Sequence, residues 1–123
     1  MRIGFLGNAN NYPFMLARRL RQLGHDVQFI VCSEERLDRP EFRYSDISFP
    51  YPEWLHDLPL TLVDWAFPTL ARYRAIKILN SCDALILNQL GPTLLPSISR
   101  PSIVLLTGTD LLHYCDPATS ARV

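Results

Sequence analysis

The run Gly7-Asn8-Ala9-Asn10-Asn11 holds the residues of this chain best suited to meeting a ligand. Glycine and asparagine tolerate left-handed backbone, and side-chain amides both donate and accept hydrogen bonds. A helix starting just after the run would add unpaired N–H groups that favour anions. Turn chemistry alone accounts for the same residues, so the run marks a place rather than a reaction. A second polar run, Thr107-Gly108-Thr109-Asp110, closes an apolar segment, and His113 lies just beyond it. Three tests are negative. Gly4, Gly7 and Gly24 form no Gly-x-Gly-x-x-Gly, so close approach to a pyrophosphate is not specified in the usual way. No Asp-x-Asp offers a carboxylate pair for a metal–diphosphate. His25, His56 and His113 are too scattered for a metal site to be argued from spacing. Neither a metal nor an organic cofactor is expected.

The elements around these runs explain why they matter. Residues 2–6 are apolar and β-prone, 12–23 have helical spacing, and 27–31 form a second apolar strand. Gly24 can end the helix in left-handed backbone, Pro13 suits its first turn, and Asn11 or Tyr12 is the expected cap. Leu16, Leu20 and Leu23 make a stripe expected to face the sheet, with Met15 beside it. Arg18, Arg19 and Arg21 fall on the opposite face, solvated or against anionic lipid heads. Such a β-α-β unit opens a doubly wound domain, whose ligands sit at the carboxyl ends of its strands.

Residues 33–68 carry five of the ten prolines and are harder to read. Residues 42–49 alternate weakly, as a short edge strand would, and 50–56 read as an aromatic loop holding His56. Trp54, Trp65 and Phe67 are expected to close the core edge. Glu34 and Glu35 follow the second strand, where a Rossmann enzyme places a ribose-binding acid, although the accompanying glycines are missing. A helix over 68–80 would put Leu70, Tyr73, Ile76 and Leu79 on or near one face. Strands over 83–87 and 102–106 flank a short helix at 92–98. Continuous apolar strands imply a parallel sheet covered on both faces, an α/β, Rossmann-like fold.

Composition narrows the function classes. A length of 123 residues predicts one domain, and 48% hydrophobic content can fill its core. Lys plus Arg and Asp plus Glu are both 12, so no global field points to nucleic acid. Cys32, Cys82 and Cys115 are an odd, widely spaced set, which with no secretory segment predicts reduced thiols and a cytoplasmic protein. No stretch reaches the roughly 18 apolar residues that span a bilayer, although contact with a membrane surface stays open. Asp116-Pro117 reads as a helix start with little chain after it, as expected of a fragment of a longer protein.

The layout resembles a known family. Met1-Arg2-Ile3-Gly4-Phe5-Leu6-Gly7, a helix, and then Gly24-His25-Asp26-Val27 look like the start of GT-B glycosyltransferases of the retaining group 1, or family 4, type. Cys82-Asp83-Ala84-Leu85-Ile86 resembles a later strand start, and the segment from Pro101 to Leu111 resembles a strand ending in a His-Gly-Ser-Asp-Leu-like turn. The resemblance implies the N-terminal, acceptor-side domain of an enzyme moving sugar from a nucleotide-sugar to an acceptor. It implies that Gly7, Asn8 and Asn10 line the cleft floor and that Gly108 allows close approach. Thr109 and Asp110 would bond acceptor hydroxyls, with Asp110 the best acidic candidate for catalysis. Thr107 stands where relatives carry histidine; it can bond a sugar hydroxyl but cannot shuttle protons near neutrality. The family's Glu-x7-Glu is missing, so a separate donor-binding domain is the expected partner and the chain alone is expected to be inactive. The rival readings are a nucleotide- or flavin-binding Rossmann or flavodoxin-like module and a non-catalytic subunit of a split transferase.

Overall fold

The computed structural model describes residues 1–32 and 39–106. Strand β1 (Arg2–Leu6) leads through a 3₁₀ turn (Ala9–Asn11) into helix α1 (Tyr12–Gln22) and strand β2 (Asp26–Val31). Helix α2 (Pro40–Arg43), strand β3 (Leu55–Asp57) and helices α3 (Leu62–Ala66) and α4 (Leu70–Asn80) follow. Strand β4 (Ala84–Asn88), a 3₁₀ segment (Gly91–Ser97) and strand β5 (Ser102–Leu105) complete the described elements. All strand pairs are parallel, in the order β3-β2-β1-β4-β5. This is the doubly wound, Rossmann-like arrangement expected of continuous apolar strands.

The strands are apolar on both sides because both sides are covered. One face sets Ile3, Phe5, Val27, Phe29 and Val31 against Phe14 and Ala17 of α1. The other sets Leu6, Ile30, Leu85 and Leu87 against Ala75 and Leu79 of α4. Gly4 allows the second layer to close: a Cβ there would press on Leu85 and the Cys82 thiol.

Several local expectations are corrected. Helix α1 is rotated from the Leu16–Leu20–Leu23 stripe: Phe14 and Ala17 are buried, whereas Met15, Leu16 and Leu23 are exposed. The aromatic segment after α2 causes this, since Phe14 packs on Phe29 (5.0 Å), Tyr44 (5.2 Å) and Trp54 (5.6 Å). The arginines are drawn the same way. Arg18 lies 4.3 Å over Tyr44 and pairs with Asp46, and Arg21 lies 4.5 Å over Trp54.

The edge strand is Leu55–Asp57 rather than 42–49, whose first residues finish α2. Main-chain pairing with β2 decides this, with Ile30 opposite His56. On α4, Ala75 and Leu79 are buried while Leu70 and Tyr73 face out, so the expected face is turned by about a quarter of the helix. Trp54 and Trp65 do close core edges, but Phe67 is exposed. Helix α3, which the sequence did not announce, starts with a capping box in which Asp64 accepts from the Thr61 N–H at 2.6 Å. The same carboxylate accepts from the Thr69 hydroxyl at 2.6 Å, and Thr69 caps α4 through the Arg72 N–H. One acid therefore holds two helix starts.

Candidate functional site

From β1 the chain first winds outward to β2 and β3, and then returns to place β4 on the other side of β1. Connections leaving in opposite directions open a crevice at the carboxyl ends of β1 and β4. Leu6 and Leu87 are register partners, so Gly7-Asn8 and Asn88-Gln89 emerge side by side there.

Gly7 leaves β1 at φ 95°, and a Cβ on it would run into the main-chain carbonyl of Asn88. Only glycine fits both the dihedral and the contact. Asn10 (φ 54°) and Asn11 (φ 64°) then take the left-handed backbone that asparagine tolerates. Asn11 holds the cap position but makes no side-chain cap; its amide donates to the Tyr44 hydroxyl at 2.7 Å. The cap comes from further back, where Asn8 Oδ1 accepts the Phe14 N–H at 3.0 Å.

The loop's own N–H groups are engaged by side chains from the end of β4. Ala9 N–H donates to Asn88 Oδ1 at 2.7 Å, and Asn8 N–H donates to Gln89 Oε1 at 3.2 Å. The Asn88 amide nitrogen donates onward to the Leu105 carbonyl at 2.8 Å, so one fully buried side chain joins the ends of β1, β4 and β5. Gln89 takes φ 55° beside it. A helix N-terminus offers its N–H groups to anions when they are unengaged. Here Asn8 takes up the Phe14 N–H of the first turn of α1, and Asn88 and Gln89 take up two N–H groups of the loop before it.

The structure thus brings Gly7, Asn8 and Asn10 to one crevice, with Gly7 and Asn8 buried and Asn10 exposed. Thr107, Gly108, Thr109, Asp110 and His113 lie outside the described residues, as do Glu34 and Glu35. Asn88 and Gln89, which directly follow the strand expected over 83–87, are site residues that sequence reasoning missed. Their signal was an amide pair after an apolar strand, mirroring Gly7-Asn8 after β1.

Beside the crevice, a water-sized cavity of about 10 Å³ lies between Gly7, Asn8, Cys32 and Arg39. Arg39 bonds Glu41 (2.7 Å), Asp57 (3.3 Å) and the Tyr51 hydroxyl (2.8 Å), and Tyr51 donates to Glu41. Burial opposes the Arg39 charge, but Glu41 and Asp57 outweigh it and raise its pKa above the ordinary arginine value. Burial likewise works to raise the Glu41 pKa, and the hydrogen bonds from Tyr51 and Arg39 overcome it and keep the carboxylate ionised. Burial and the Glu41 acceptor push the Tyr51 phenol up, so it stays a donor. This network ties the end of β3 to α2 and to Tyr51 rather than presenting a reactive group.

His56 is on β3, not in a loop, and its Nε2 lies 2.7 Å from Gln28 Oε1. Gln28 in turn donates to Asp26 at 2.8 Å, and Asp26 pairs with Arg2 at 3.2 Å. An amide oxygen only accepts, so His56 Nε2 carries a proton. Burial, and then the nearby Arg2 charge, lower its pKa. The chain runs toward the amino-terminal edge of the sheet, away from the crevice. Among the described residues, no three His, Cys, Asp or Glu side chains gather as a metal site requires. Cys82 is a buried free thiol, and burial raises its pKa.

Fold and crevice define the class: a Rossmann-like α/β protein with a polar opening at its topological switch point. Compared with family models, with curated proteins and with solved structures, the chain finds no match. No helix among the described residues is long and apolar enough to cross a membrane.

Proposed function

We propose that this protein is the acceptor-side domain of a GT-B-type glycosyltransferase, which moves a sugar from a nucleotide-sugar to an acceptor. One observation carries the reading: the amides at the crevice are engaged by Asn8, Asn88 and Gln89 rather than left as a cradle for phosphate. A crevice floored by glycine and edged by the exposed Asn10 amide suits hydroxyl groups better than a diphosphate. The donor nucleotide then belongs to a second domain, in keeping with the missing Glu-x7-Glu. By the family resemblance, Thr107, Thr109 and Asp110 would bond the acceptor, Gly108 would let it approach, and His113 would stand near it.

The strand order also suits a second reading, a nucleotide-binding Rossmann module; a flavodoxin-like module would order its strands 2-1-3-4-5. Calorimetric titration of the chain with NAD, FMN, UDP and simple sugars separates the two. The transferase reading expects no tight binding of NAD or FMN and no turnover of nucleotide-sugars by the chain alone. Tight NAD binding would replace it with the cofactor module. A non-catalytic subunit would be recognised by a separate donor-domain protein that co-purifies with it.

A further inference from the structure

The outer surface of the α3–α4 corner is apolar and basic. Leu62, Val63, Phe67, Leu70 and Tyr73 are each 57% to 71% exposed. Along α4 the positions 70, 73, 74 and 77 follow helical spacing, so Arg74 and Lys77 share the outward face of Leu70 and Tyr73. The corner cannot bury these side chains by turning inward. Ala75 and Leu79 already fill the inner face of α4, and Asp64 clamps both helix starts.

Charge selects what would cover this surface. Residues 58–82 contain Arg72, Arg74 and Lys77 against a single acid, Asp64, whose carboxylate is taken up by Thr61 and Thr69. Arg72 reaches back to the Trp65 carbonyl, which leaves Arg74 and Lys77 as the outward cations of the corner. Apolar side chains flanked by two cations match the boundary between acyl chains and anionic headgroups. Tyr73 adds an amphipathic ring of the type enriched at that depth.

We propose that the α3–α4 corner docks this protein on an anionic lipid surface. Of the three arginines singled out in the sequence for lipid, Arg18 and Arg21 are instead spent on Tyr44 and Trp54, and Arg19 bonds Gln22 on its own helix. Helix α3 follows β3, and α4 runs back to start β4, so the corner sits at the carboxyl edge of the sheet with Gly7 and Asn88. Docking there holds the crevice close to the headgroups. The inference does not depend on sugar transfer.

The test is co-sedimentation of the 123-residue chain with vesicles of phosphatidylcholine alone or mixed equally with phosphatidylglycerol. Binding is expected to the anionic vesicles, weakening at about 0.5 M salt. Replacing Phe67 and Leu70 with serine should lower partitioning at least about tenfold. The pair Arg74→Gln and Lys77→Gln should lower it about twentyfold. Arg19→Gln, on α1, should leave it unchanged. Circular dichroism confirms that each variant is folded. Absence of binding by the folded chain overturns the proposal, as does equal binding to neutral and anionic vesicles. So does loss of binding in Arg19→Gln alone. A dimer that Phe67→Ser and Leu70→Ser dissociate, with no vesicle binding, would assign the corner to a second copy of the chain.

Discussion

Asn88 reaches from the end of β4 to accept the Ala9 N–H at 2.7 Å, across 79 positions of sequence. Its amide nitrogen meets the Leu105 carbonyl at 2.8 Å, so the buried side chain leaves neither end of its amide unused. Asn88→Ala would orphan a part-buried donor on Ala9 and a part-buried acceptor on Leu105. The expected loss is about 2–4 kcal/mol of unfolding free energy in urea, from roughly 1–3 kcal/mol per orphaned group. A cost below about 0.5 kcal/mol would mean the carboxyl edge is not tied together this way.

Two glycines share nearly one dihedral, with φ 95° at Gly7 and 94° at Gly24. A Cβ at Gly24 meets nothing within 4 Å, whereas at Gly7 it meets the Asn88 backbone. Gly24→Ala should therefore cost only the dihedral penalty, about 1–2 kcal/mol. Gly7→Ala adds overpacking and should cost about 3 kcal/mol or more. Denaturation midpoints of the two variants, compared side by side, isolate the steric part. Equal losses would remove the case for close approach in the crevice.

The histidine on β3 gives stability a pH dependence of definite sign. Burial and Arg2 lower the folded-state pKa of His56, while an unfolded histidine titrates near about 6.5. Below that pH the unfolded chain takes up the proton first, so stability falls as pH falls until the folded value is passed. Above about 6.5 the residue adds no pH dependence. Subtracting the His56→Gln stability profile from that of the parent should reveal this fall. A difference that grows as pH falls would have the wrong sign.

Arg39 holds Glu41, Tyr51 and Asp57 together with only 14% of its side chain exposed. Removing it leaves two carboxylates facing each other in a half-dry site. Arg39→Ala should lose about 3 kcal/mol, and Tyr51→Phe about 1 kcal/mol, since the second deletes one hydroxyl that accepts from Arg39 and donates to Glu41 but leaves the ion pairs in place. Thermal melts order the two variants. Tyr51→Phe as damaging as Arg39→Ala would place the weight on the phenol instead.

Much of the frame was legible because it is written in short-range chemistry. Continuous apolar runs bounded by Gly7, Gly24 and Asn88 identify strands buried on both sides, and Pro13 with Gly24 bracket a helix. Parallel pairing followed from that continuity, because a strand with one wet face would alternate. The Gly-Asn loop also marked the crevice, since glycine and asparagine stand where backbone must turn left-handed.

What tertiary structure alone decided depends on partners distant in sequence. Helix α1 has apolar residues on more than one face, so its period could not say whether Phe14 or Leu16 turns inward; Tyr44 and Trp54 settled that by stacking there. Strand β3 is three residues long and exists because β2 offers it hydrogen bonds, which no local propensity encodes. The engagement of the Asn8 and Ala9 amides by Gln89 and Asn88 belongs to the same class. A side-chain amide reads alike in any turn, and only the alignment of two strand ends gives it a backbone to hold.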